Sequence, residues 1–412
     1  MPLERTQART EQIAQALVLA LPFMLIHARV AAEAMFAGLA VLMLIRTALH
    51  RDLTPYRQPW VVLAFAYWAW LVLVSLLQGA WPQVVRALVW GRIPLAVLAL
   101  SNWLLADARM RRWLLYSTGL ASAWITLECW LQVVFGRGLM GQGRFGAGQL
   151  MGPFPKPRAG PMLLRLMLPA LVWASAAGGR WAALALPSLA LATLALIGQR
   201  MPFIEAIAVL VLVALLLPRL RLPMLLALAA GGAALAAGVL VAPEVAWRMS
   251  GQFLDQLANF PNSHYGQIYA RALAIGLEHP WTGLGFDAFR IHCEDPRYFR
   301  GWVPGSDGGG AAICVPHPHN HYLEALSDAG FPGLLLFGAL AIAWLVPLAR
   351  GLRQRPDPVR LGLLAAALVT LFPVAGTTAF TVMPTGGAFF LLLGWGLAAA
   401  RTERAATQGQ PA

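Results

Sequence analysis

Lysine is almost absent from this chain: Lys156 is the only one among 31 basic side chains in 412 residues. Charge of either sign is scarce, at 12% of residues against 59% hydrophobic. Soluble domains carry roughly twice that share of charge, so the composition excludes an ordinary globular protein and predicts a polytopic membrane protein. The formal charge of +13 is scattered through short segments between apolar runs, which argues against nucleic acid as a partner. Three cysteines are too few for a disulfide scaffold, and no HExxH zinc motif is present. The first apolar run follows Arg5 and Arg9 and continues into a second, so it reads as a retained helix and not as a cleaved leader.

Hydropathy places about twelve spans near 13–28, 31–47, 59–78, 88–106, 112–135, 160–177, 181–198, 203–217, 222–242, 331–349, 358–377 and 384–400. The arginines orient them. With the N-terminus inside, Arg46, Arg51 and Arg57 share the cytoplasmic side with Arg109, Arg111, Arg112, Arg180, Arg219 and Arg221. Arg350, Arg353, Arg355, Arg360, Arg401 and Arg404 join them, which is the positive-inside pattern. The expected architecture is an all-α integral membrane protein with one large periplasmic loop containing short helices. Residues 1–242 form an N-terminal bundle of about nine spans, 243–330 the periplasmic loop, and 331–412 about three spans and a cytoplasmic tail.

The remaining arginines are not required by topology. They include Arg86, Arg92, Arg137, Arg144, Arg158, Arg165, Arg200, Arg248, Arg271, Arg290, Arg297 and Arg300. Any one of them can snorkel or sit in water. As a set they point to an anionic ligand on the outward side, because a guanidinium grips phosphate bidentately. The outward segment 136–159 is rich in glycine and proline and is expected to be a mobile loop. In the larger loop a helix from Ser263 to Glu278, capped by Ser263, is broken by His279-Pro280-Trp281-Thr282-Gly283. Cys293 and Cys314 lie beyond it. In an oxidising compartment they can bond; otherwise they are two free thiols. Cys129, within a span, reads as packing.

Three of the eight histidines, His317, His319 and His321, fall within five residues. Pro318 suits the first turn of a helix and Gly330 its end, which puts His319 and Asn320 in the opening turn. There the macrodipole disfavours imidazolium and keeps a neutral ring ready as a general base. Asn320 would orient that ring or bind a sugar hydroxyl. Structural histidines are one alternative. A metal held by His317 and His321 on a helical face is another, made difficult by Pro318. Arg200, where one span emerges and the next re-enters, and Arg271, in the loop helix, supply the cations that stabilise a departing diphosphate. Glu205 is the expected partner of Arg200, while Glu33 and Glu128 suit packing pairs.

His319-Asn320, nine residues, Gly330, two residues and Gly333 resembles the signature of the O-antigen ligase and O-antigen polymerase superfamily. Arg271 followed by His279-Pro280-Trp281-Thr282-Gly283-Leu284-Gly285-Phe286-Asp287-Ala288-Phe289 is similar to another of its segments, and Arg200 to its mid-chain arginine. The similarity covers about residues 185–400; the N-terminal spans match in hydropathy alone. It implies a multi-pass bacterial inner-membrane enzyme with its site facing the periplasm. That enzyme is an inverting, metal-independent glycosyltransferase without cofactor, acting in lipopolysaccharide biosynthesis. It moves O-antigen from undecaprenyl diphosphate to lipid A–core, with membrane lipid around it. His319 is then the base and Arg200 and Arg271 the diphosphate contacts, with His317, Asn320, His321, Arg290, Arg137 and Arg158 in support.

Two departures stand out: Gln199-Arg200-Met201-Pro202 is not the usual small-residue setting, and His321 replaces an apolar residue. Polymerase and protein O-oligosaccharyltransferase share the signature. Arg137 to Gly148 and Arg290 to Gly301 fit a spacing ascribed to polymerases, in loops so rich in glycine that such matches arise by chance. Compact length and a single large loop favour the ligase. A lipid-linked glycan flippase is the rival of another class; polar residues gathered at the outer surface, without repeat symmetry, argue against it.

Overall fold

Within lipid, a backbone can satisfy its polar groups locally in a helix, and helix dominates this chain. The computed structural model describes residues 2–146, 148–241, 243–374, 380–381 and 383–407. The N-terminal helices are α1 (Pro2–His27), α2 (Arg29–His50), α3 (Pro59–Leu77), α4 (Trp81–Trp90), α5 (Arg92–Ala99) and α6 (Ala108–Phe135). A short hairpin of β1 (Arg144–Phe145) and β2 (Gln149–Leu150) precedes α7 (Ala159–Ala177), α8 (Gly179–Ile197), α9 (Arg200–Leu216) and α10 (Arg221–Val241). The loop region carries α11 (Pro243–Met249), α12 (Gly251–Ala258), α13 (His264–Glu278) and α14 (Ala288–His292). The chain then returns through α15 (His321–Ala349), α16 (Pro358–Leu371) and α17 (Met383–Thr407).

Ten stretches among the described residues are long and apolar enough to cross a membrane. They coincide with ten of the expected spans, α4 and α5 meeting at Gly91 and continuing through a π turn at Leu100–Leu104 as one. The other two expected spans are shorter helices, α9 of 17 residues and α16 of 14. The end of expected span 358–377, from residue 375, and residues 408–412 of the tail lie outside the described residues.

α15 packs against α3, α16 against α7, and α17 against α1, α2 and α5, so the last three helices close onto the N-terminal bundle. One apolar cluster runs through all of them. Leu44, Leu73, Leu215 and Ile342 point outward and exposed, as lipid-facing positions do. The loop has a second, smaller core in which Ile268, Ala272 and Ile275 of α13 meet Phe289, Tyr298 and Ile313.

The 136–159 segment is anchored, contrary to the expected mobile loop. Gln132 of α6 donates to the carbonyls of Gln142 and Gly152 and accepts from the amides of Met151 and Gly152. One buried amide thereby fixes both sides of the loop, and Leu150 to Phe154 are buried beneath it.

Candidate active site

The motif after α13 and the glycine within α15 form one junction. Gly330 adopts φ 65°, ψ −166°, separating a short helical segment from His321 from the apolar span that follows. The His279–Gly285 stretch lies across this break. The Phe331 amide donates to Pro280 O (2.7 Å), and the amides of Leu284 and Gly285 donate to Ser327 O and Asp328 O (both 2.9 Å). A Cβ at Gly283 would meet the backbone of Asp328 and Ala329, and one at Gly330 that of Pro280 and Trp281. Only glycine permits this backbone-on-backbone seat at positive φ. Asp328 accepts from the amides of Asp287 and Ala288, and Gln83 and Ser75 hold the backbone of Leu284 and Phe286. The start of α15 is therefore fixed from three sides.

The histidines sit just before that start. α15 begins at His321, because Asn320 is its N-cap, accepting from Tyr322 N (2.9 Å) and Leu323 N (3.1 Å). This corrects the expected opening turn at Pro318 and gives Asn320 a capping role in place of orienting the ring. His319 stands outside the helix at φ 53°, one of three non-glycine residues at positive φ among those described. Such backbone strain concentrates at functional sites.

The ring of His319 lies 4.3 Å from that of His317 and 5.3 Å, edge-on, from that of Tyr265. Tyr269 donates to His319 O at 3.3 Å. Burial, then the neighbouring His319, His321 and Arg290, pushes His317 down to about 2, so this ring is neutral at working pH. His321 turns away and stacks on Phe380 at 3.8 Å, its Nδ1 3.6 Å from Glu324. His317 and His321 thus share no helical face. No group of three His, Cys, Asp or Glu among the described residues is arranged to hold a metal ion.

Arg200 comes to the same region from the membrane side. Gly198 ends α8 in the left-handed conformation, and Gln199 then staples the turn, donating to Pro157 O (2.7 Å) and accepting from Gly160 N (3.0 Å). This accounts for the unusual Gln199 beside the arginine. Arg200 opens α9 half-buried, and one terminal nitrogen is enclosed with no hydrogen-bond partner. Its charged and ionisable neighbours are Arg248 and Tyr265. Arg248 is held by Gln149 of β2, whose amide oxygen, turned toward it, accepts at 2.6 and 3.2 Å, while Arg248 Nε is also enclosed and unpartnered.

Several of the other outward arginines make ion pairs. Arg290 and Arg86 pair with Asp287 (3.4 and 3.0 Å), Arg297 with Asp295 (2.6 Å), Arg300 with Glu278, and Arg92 with Glu33. Arg165 donates to Thr370 and Pro161 O, and Glu205, expected to partner Arg200, makes no ion pair with it among the described residues; its Oε1 is buried without a partner there. Glu128 is buried without a partner among the described residues. Arg137 is exposed beyond α6, and Arg158 lies half-buried beside Arg29.

Arg271 departs most from expectation. It is fully buried and donates to the carbonyls of Cys293, Gly310 (3.0 Å) and Asp307 (3.4 Å), with its guanidinium 4.3 Å from the Phe299 ring centroid. Cys293 and Cys314 are disulfide-bonded, and Arg271 lies against that bridge. In this conformation it organises the loop, while its Nε is buried without a partner among the described residues. Tyr265 is the residue that sequence reasoning missed, and Arg248 enters that reasoning only as one of the outward arginines. Tyr265 and Tyr269 are i,i+4 on one face of α13, toward His319, while Arg271 lies on another; that periodicity was the available signal.

The class is thus an all-α, multi-pass membrane protein that gathers histidine, tyrosine and two arginines, neither with a carboxylate partner among the described residues, around its largest loop. Residues 185–338 match the model of the family described as O-antigen ligase, and this match supports the O-antigen ligase/polymerase superfamily, whose members are glycosyltransferase-like enzymes. The match contains Arg200, Arg248, Tyr265, Arg271 and the histidines. No curated protein matches the chain.

Proposed function

We propose that the protein is an O-antigen ligase that transfers glycan from undecaprenyl diphosphate to lipid A–core. The observation carrying this reading is that Arg200 and Arg248, two guanidiniums without a carboxylate among the described residues, lie beside a tyrosine whose ring touches His319. Like charges left together at the N-terminus of α9, itself the positive end of a helix dipole, call for an anion of two or more charges.

In the transfer, His319 takes the proton of an acceptor sugar hydroxyl. The oxygen attacks the anomeric carbon of the donor, the bond from that carbon to the phosphate oxygen breaks, and undecaprenyl diphosphate leaves with its charge held by Arg200 and Arg248. Attack opposite the leaving group inverts the anomeric centre. The bonded Cys293–Cys314 pair favours an oxidising compartment for the loop, and the arginine-rich turns at the other end favour the cytoplasm there. Together they support an inner-membrane protein whose site faces the periplasm.

Reconstitution with separate lipid-linked donor and lipid A–core acceptor tests the reading. A product carrying one preformed glycan chain on the acceptor is expected. Lengthening of the lipid-linked glycan would establish a polymerase, and movement of donor across the bilayer without bond formation a transporter.

A further inference from the structure

A second cation-rich cavity lies at the end of the bundle remote from His319. α6 and α16 both begin there, capped by Asp107 on Arg109 N (2.9 Å) and Asp357 on Arg360 N (2.7 Å). Between them opens a cavity of about 780 Å³ into which four arginines, Arg111, Arg112, Arg355 and Arg360, face two carboxylates, Asp357 and Glu403.

The arginines divide by their partners. Arg360 is 3% exposed, is committed to Glu403 and to Arg350 O, and keeps a buried Nε without a partner. Arg111 caps the carbonyls of Leu105 and Ala106 (2.8 and 2.6 Å). Arg112 and Arg355 are exposed and make no ion pair among the described residues. The cavity wall then turns apolar along the bundle through Leu115, Trp173 and Val359. Topology accounts for arginines on this side of a membrane. It does not account for their convergence with a tryptophan on a cavity that is charged at its mouth and apolar along its flank.

We propose that this cavity binds an anionic phospholipid of the leaflet opposite His319. Its phosphodiester sits between Arg112 and Arg355, and an acyl chain lies along Leu115 and Trp173. A freely diffusing phosphate would use the cations alone and leave the apolar flank without a role, so the lipid is the favoured source of the anion. The site stands independently of the transfer reaction.

The test is native mass spectrometry of the full purified chain equilibrated with equal phosphatidylglycerol and phosphatidylcholine. The wild type retains phosphatidylglycerol selectively. Arg112→Ala with Arg355→Ala lowers that retention by about twenty-five-fold, near fivefold per arginine. The charge reversal Arg112→Glu, at an exposed position, lowers it as well. Arg219→Ala with Arg221→Ala, basic residues at another turn of the same side, leaves it unchanged. Equal loss in that second pair, or no loss in the first, overturns the proposal. So does displacement of the lipid by millimolar inorganic phosphate, which would make this a soluble-anion site.

Discussion

Tyr265 presents its ring edge to His319, with centroids 5.3 Å apart and planes at 74°. The same phenol acts on the Arg200 charge. A residue of the loop helix thereby joins the opening of a membrane helix to the histidine turn. Tyr265→Phe keeps the ring contact and is expected to lower kcat by roughly tenfold or less, whereas Tyr265→Ala removes the wall against which His319 rests and costs ~10² or more. Steady-state kinetics in liposomes check this; an effect confined to KM would assign Tyr265 to binding alone.

Arg200 and Arg248 repel one another until an anion arrives. Arg200→Ala should lower kcat by ~10²–10³, the scale of one lost charge-stabilising donor, and Arg200→Lys should restore little, because a point charge does not replace a bidentate fork. Without donor, Arg200→Ala and Arg248→Ala should each melt at or above the wild-type temperature, since a like-charge contact is relieved. Melting curves with and without donor separate the two effects; a lower Tm in the donor-free variants would contradict it.

Arg271→Ala is expected to act through the loop. Three carbonyls lose a buried cationic donor, at a cost of about 3 kcal/mol. The segment between Cys293 and Cys314 should lose hydrogen-exchange protection and become protease-sensitive. Lost donor binding with an unchanged exchange pattern would instead make Arg271 a direct contact.

His317 links stability to acidity. Its folded pKa of about 2 lies far below the ordinary imidazole value of 6.5, with burial the first cause and His319 the second. The unfolded chain therefore binds a proton that the folded one refuses. Stability is fully present above pH 6.5 and falls as pH drops below it, by up to about 1.4 kcal/mol per pH unit. Thermal unfolding between pH 7.5 and 5 should show a shallower decline in His317→Gln than in the wild type; parallel curves would refute the assignment.

The spans and the helix at Ser263 were legible because apolar runs and a capping serine are local signals; Ser263 does accept from Gly266 N at 3.1 Å. The start of α15 was misread because Pro318 and Asn320 both suit a helix opening, and the side-chain acceptor of Asn320 prevails. Arg271 looked like Arg200 in sequence. Which guanidinium faces a ligand depends on whether loop carbonyls close over it, a long-range outcome that no local pattern encodes. The Gln132 anchor joins residues 10 to 20 positions apart, the Gln199 staple and the Arg200–Arg248 proximity about 40 or more, and all three emerge only when the outer turns are assembled.

The most direct test is single-turnover transfer by purified, reconstituted His319→Ala, with released undecaprenyl diphosphate and glycosylated lipid A–core both quantified. If His319 is the base beside a diphosphate site, donor binding persists while the rate of both products falls together by ~10²–10⁴. Transfer within tenfold of wild type, with the donor bound as before, would contradict the account.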